Sequence, residues 1–202
     1  MTIYCIPINT CMKMQTGTLN SYPVFPNWVF EGEMVLTPEI AQLIIDGMDG
    51  QIPVENTHFG KLSKRGAKTK DLLNLTRLMG RMFADNVLSH YRLLDRLPQI
   101  ESVDSQVITI NPTRIVPASV QRHRWYQAVL FLQSDEKSSN LYLDSMDTKL
   151  WASPPGVQEY THVITPNLFK VVFFPAHIPW GFTPNMSNKD TVVYSTSFII
   201  KH

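Results

Sequence analysis

The feature that most constrains the fold is a change of hydrophobic period: a helical pattern that Pro98 stops gives way to strand spacing from Ser105. From Ser105 onward, short runs rich in β-branched and aromatic residues recur: Val107, Ile108 and Ile110, then residues 128–132, 141–143, 163–164, 170–174 and 192–200. Turn-formers such as Asn111-Pro112, Pro154-Pro155-Gly156 and Pro166-Asn167 separate them. Helices followed by many short antiparallel strands make an α+β domain with a sandwich or barrel core. A double-stranded β-helix (jelly roll) with its N-terminal helices packed on one sheet fits this order. Residues 37–202 are expected to form that single domain.

The helical half has recognisable starts. Thr37, Pro38 and Glu39 supply a hydroxyl N-cap, a proline at the first helical position and a carboxylate in the first turn. Ile40, Leu43 and Ile44 give this helix an apolar face, and Gly47 to Gly50 end it. A long amphipathic helix is predicted over 71–94, with Leu75, Leu78, Met82 and Phe83 or Val87 buried. Between the helices lies a basic stretch, Lys61, Lys64, Arg65, Lys68 and Lys70, expected as a loop that is either solvated or used to bind a phosphate or a partner. Residues 1–36 read as an extended, aromatic-rich arm, because Pro23 and Pro26 disfavour helix around Tyr22, Phe25, Trp28 and Phe30. Such an arm either buries its aromatics on the domain or docks on another subunit, interfaces being rich in aromatics.

Composition excludes some functions. A formal charge of +1 leaves no footprint for general nucleic-acid binding. Only 17% of residues are charged, which points to partners that cover part of the surface. Cys5 and Cys11 are too few for a zinc pattern or a disulfide framework, and are expected as free thiols. No signal-peptide pattern and no run of membrane-spanning length occurs, so folding in the cytosol is expected, with no membrane contact. Gly-rich phosphate loops, the nucleophile elbow and Cys-x-x-Cys are absent from the sequence. The run Arg122 to Tyr126 combines basic and aromatic side chains, and reads either as a strand entry or as a stacking surface for a sugar or base.

The segment from Phe174 through Asn185 carries the most specific signal. It resembles the late core strand of phage- and bacteria-associated 2-oxoglutarate/Fe(II) oxygenases related to prolyl hydroxylases, roughly Phe-Pro-Ser-x-Leu-x-His-x-Val-x-Pro-Asn. Phe174, Pro175, Pro184 and Asn185 match, and the iron-binding histidine falls on Trp180. Upstream, Thr109-Ile110-Asn111 and the run 126–132 are similar to that family's Asn-x-Asn and tyrosine-rich strands, with a single-residue gap. The resemblance implies a jelly-roll fold over residues 37–200. It also places the proximal ligand pair on Ser119 and Gln121.

Non-haem Fe(II) needs two histidines and usually one carboxylate on one face. Indole nitrogen is a donor only, and serine or amide oxygens are poor neutral ligands. The family also uses a basic side chain on the last core strand to hold the far carboxylate of 2-oxoglutarate, and residues 191–200 contain no Arg or Lys. Four requirements fail together, so the expectation is a non-catalytic protein with no cofactor. It would serve as a structural or adaptor component that binds other protein subunits, assembles as an oligomer and belongs to a tailed-phage virion. Trp28, Lys64 and Arg65 are the candidate partner contacts. Two alternatives stay open. One is an active hydroxylase that uses Fe(II) and 2-oxoglutarate with His123 and His177 as displaced ligands, helped by His162 with Asp144 or Asp147. The other is a carbohydrate- or peptide-binding module lined by Trp180, Trp125 or Trp151.

Overall fold

The computed structural model describes residues 3–4, 14–15, 19–24, 27–48, 52–63, 69–91, 99–120, 123–144 and 161–201. In chain order the strands β1 (Ile3–Tyr4) and β2 (Met14–Gln15) pair with each other, and β3 (Asn20–Val24) and β4 (Asn27–Glu33) form a hairpin. Helix α1 (Pro38–Gly47), the hairpin β5 (Val54–Thr57) and β6 (Gly60–Ser63), and helix α2 (Lys70–Met82) follow. The remaining strands are β7 (Gln99–Ile110), β8 (Val116–Ser119), β9 (Tyr126–Gln133), β10 (Leu141–Asp144), β11 (Thr161–Ile164), β12 (Lys170–Pro175), β13 (Trp180–Phe182) and β14 (Thr191–Lys201).

Two antiparallel sheets face each other. The larger is eight-stranded in the order β3-β4-β12-β9-β14-β7-β6-β5, and the smaller four-stranded in the order β11-β10-β13-β8. The jelly-roll expectation therefore holds, with α1 and α2 packed on the outer face of the larger sheet. Strand β9 shows why its sequence is almost continuously apolar. Ala128, Leu130 and Leu132 face the helices, while Val129 and Phe131 face the smaller sheet. A strand buried on both faces loses the polar alternation of a half-exposed one. Two cores result, one between the helices and the larger sheet, the other between the sheets.

Several local expectations need correction. Leu43 is 59% exposed, and Ala41 takes its place on the buried face of α1 beside Ile40 and Ile44. Thr37 stands at the N-cap of α1, yet its hydroxyl makes no capping bond to the helix amides. At α2 the cap is Thr69, whose hydroxyl accepts a bond from the Leu72 amide at 3.3 Å. The long second helix is not uniform: α2 gives way to a π-helical turn over Phe83–Leu88. The extra residue in that turn lets Phe83, Val87 and Leu88 all be buried. The basic stretch is not one loop, because Lys61 lies in β6 and Lys70 opens α2, while 64–68 fall outside the described residues. Strands β8 and β13 had no clear sequence signal. Pro117 interrupts the first, and the second is three residues between prolines.

Candidate functional site

The inner face of the smaller sheet brings the expected site residues into one row. Trp180 pairs with Ser119 on one side and with Leu143 on the other, and Leu143 pairs with His162. Residues directly opposite in an antiparallel ladder share a face, so all four side chains leave the sheet on the same side. The indole of Trp180 is 4% exposed and meets Phe174 and Phe182 edge-on, each with ring centroids 5.9 Å away. Its Nε1 is buried and has no hydrogen-bond partner among the described residues. Gly181 lets β8 and the Tyr142 ring close on β13 from the outer face. A Cβ there would sit 2.5 Å from the Val116 carbonyl oxygen and 2.6 Å from the Tyr142 hydroxyl. Ser119, by contrast, is exposed at the end of β8.

Across from this row, the larger sheet presents a buried polar patch. Gln127 lies between Phe174 of β12 and Ser197 of β14 in the ladder, and Ser195 pairs with Val129. The Gln127 amide donates to the Ser195 hydroxyl at 2.6 Å, and the Ser197 hydroxyl donates to the Gln127 carbonyl oxygen at 2.6 Å. All three are buried. The patch is neutral and its amide is satisfied on both sides, so burying it needs no counter-ion. Ser195 and Ser197 lie on the last core strand, where the resemblance calls for a cation to hold a carboxylate.

The other candidates are scattered. His123 is exposed in a turn before β9, with φ of 62°, and His177 is exposed in the turn between β12 and β13. His177 thus leaves the face that Trp180 occupies. His162 is half-buried on β11, with Leu143 standing between it and Trp180. It sits three strands from Ser119, about 14 Å at ordinary strand spacing. Asp144 pairs with Thr161 and accepts from its hydroxyl at 3.4 Å. Gln121, Lys64, Arg65, Arg122, Asp147 and Trp151 lie outside the described residues. Trp125 packs against Phe83 and Tyr91 with centroids 5.6 and 6.0 Å away, as a core-edge aromatic. Trp28 is half-buried, its ring 4.5 Å from that of His90.

Among the described residues no group of three or more His, Cys, Asp or Glu side chains is placed to hold a metal ion. The side chain at the centre of the row offers only an N–H donor, which cannot ligate Fe(II). The described residues do not fit an iron site, and no catalytic step is derived through one.

The motif positions that match the oxygenases do have identifiable work, and it is structural. Asn185 is fully buried, and its amide donates to the carbonyl oxygens of Ile110 and Lys189 at 2.9 and 2.8 Å. Its Oδ1 accepts from the Ser187 amide at 3.1 Å, while its backbone exchanges bonds with Arg114 and Thr113 at 2.9 and 2.7 Å. One side chain thereby ties the ends of β7 and β13 to the loop before β14. Thr113 is held there at φ of 67°, unusual for a β-branched residue. Phe174 supports Trp180, and Pro175 closes β12 opposite Tyr126. The polar patch of Gln127, Ser195 and Ser197 was missed by sequence reasoning, since its members carry no spacing signal of their own.

No family model matches the chain, and no curated protein sequence matches it either. Solved structures do. A prolyl-4-hydroxylase from Pseudomonas putida superposes with a TM-score of 0.59 at 13% identity, covering 86% of this chain and 93% of that one. The viral collagen prolyl hydroxylase of Paramecium Bursaria Chlorella virus-1 gives 0.57 at 12%, covering 88% and 93%. A 2OG-Fe(II) oxygenase family oxidoreductase from Burkholderia pseudomallei gives 0.55 at 12%, covering 79% and 77%. At such identities the likeness establishes architecture: the chain is built on the double-stranded β-helix fold of the 2-oxoglutarate/Fe(II) oxygenases.

Proposed function

We propose that this chain uses the oxygenase scaffold without its chemistry, as a structural or adaptor protein that acts through protein partners. The carrying observation is Trp180. It takes the place that the motif gives to the distal iron ligand, and its indole packs on Phe174 and Phe182 between the sheets. Scaffold and chemistry separate readily, because core packing holds the first and a few side chains the second. Ser119 at a proximal ligand position and the neutral patch that Gln127 makes with Ser195 and Ser197 of the last core strand support the same reading. Neither Fe(II) nor 2-oxoglutarate is needed in this account.

The partners we infer are further protein subunits, within an oligomer or a tailed-phage virion. The phage-associated motif and the low charge fraction support that setting. Trp28 and the basic segment around Lys64 and Arg65 are the contacts we assign to the partner. The test is a turnover assay with Fe(II), ascorbate and 2-oxoglutarate, reading succinate. Succinate should stay at the level of protein-free iron, and light scattering should report a multimer or a stable complex. Succinate that rises in proportion to protein would overturn the proposal.

A further inference from the structure

The outer face of the larger sheet carries a second feature, unrelated to the Trp180 row. A groove of about 450 Å³ runs between α2 and β7, lined on the helix side by Thr76, Arg77, Gly80 and Arg81 and on the strand side by Glu101 and Ser102. Arg77 and Arg81 are one helical turn apart, which puts their side chains on one flank. Both walls lose regularity here. The π-helical turn begins at Phe83, just past Arg81. On the strand side Asp104 has φ of 55°, and the ladder between β14 and β7 shifts register between Ser195 and Ser197. Breaks of both kinds recur beside binding sites.

Hydroxyls link the walls from beneath. Thr76 bonds to the Tyr194 hydroxyl and donates to the Leu72 carbonyl oxygen at 2.7 Å. Ser105 meets Thr196 at 2.9 Å, and Thr196 meets Ser102 at 2.5 Å. Each hydroxyl can give one proton and accept others, so Ser102, which lines the groove, can turn its donor toward a guest. Gly80 is the remaining oddity. A Cβ at this position would meet nothing within 4 Å, so no packing within the described chain calls for glycine. Glycine inside a helix costs stability relative to alanine, and what it preserves here is open space above the groove floor.

We propose that this groove binds the oxyanion group, carboxylate or phosphate, of a small organic molecule. The Arg77 guanidinium fork matches such a group in a bidentate manner, the Ser102 hydroxyl supplies a neutral donor, and the volume is that of a small-molecule pocket. Glu101 on the opposite wall limits the net positive charge and favours a guest of low charge.

The experiment is an amide NMR titration of the full chain at low ionic strength with two separate probes, inorganic phosphate and malonate. Saturable shifts confined to residues 76–84 and 101–105 are expected with at least one probe, and which probe saturates identifies the source of the oxyanion. Arg77→Gln should weaken binding about tenfold, the size expected for one charged hydrogen-bonding partner. Gly80→Leu should fill the groove and abolish the shifts while leaving the thermal midpoint unchanged or higher. Non-saturating shifts with both probes would overturn the proposal, as would undiminished binding by both variants.

Discussion

Trp180 and Asn185 sit five positions apart in one motif (185 − 180) and do opposite things to the comparison with the oxygenases. Asn185 keeps the match, and its side chain joins three chain segments. Asn185→Ala would strand buried carbonyls and an amide, and about 2–4 kcal/mol of stability should be lost in urea unfolding, at roughly 1 kcal/mol per bond. Trp180 breaks the match because the motif carries a histidine there and this chain an indole packed on Phe174 and Phe182. Trp180→Ala should cost about 3–5 kcal/mol, the usual range for deleting a large buried aromatic. Trp180→His should not confer iron binding, since a single imidazole lacks its companions; metal titration of that variant checks it. That residue 180 offers no metal ligand was legible in the sequence, because donor chemistry is a property of residue type. Burial of the indole against Phe174 and Phe182 was not, because it depends on how the strands register.

Elements with a strong period were read correctly, the four-residue strands β10 and β11 among them, while β8 and β13 were missed. Strands β9, β12 and β14 are long and apolar enough to announce themselves, and Pro38 marked α1. Strands β8 and β13 exist because neighbouring strands hold them, which no local pattern reveals. The π-helical turn escaped notice for a similar reason: burial of three apolar side chains imposes it against the regular period. Within α2, Gly80→Ala should raise stability by about 1 kcal/mol, since the site is helical and spatially open. The turn after β9 offers a pH test. The carboxyl of Asp135 is held below its usual value, chiefly by the Ser187 hydroxyl at 2.5 Å and also by the Lys137 and Ser138 groups. A depressed folded value gives stability that is present above the unfolded value, about 4, and is lost as pH falls through the folded one. Ser187→Ala should therefore flatten the fall in unfolding midpoint below about pH 4, without moving the neutral-pH slope.

At the scale of the molecule, one sheet serves two cores, and this explains what sequence could reach. The order of helices then strands prescribed an α+β jelly roll, and the solved oxygenases share that architecture across most of the chain. The residues that would decide chemistry are few and lie on short or irregular segments, so spacing alone could not gather them. Trp28 packs on the domain through His90, while Gln121, Lys64 and Arg65 fall outside the described residues. Our central claim is that the scaffold has given up its metal. It is tested most directly by anaerobic calorimetry, titrating Fe(II) into the protein and then adding 2-oxoglutarate. We predict no saturable heat for either at millimolar concentration. Stoichiometric Fe(II) uptake that then recruits 2-oxoglutarate would contradict the account and return His123 and His177 to the site.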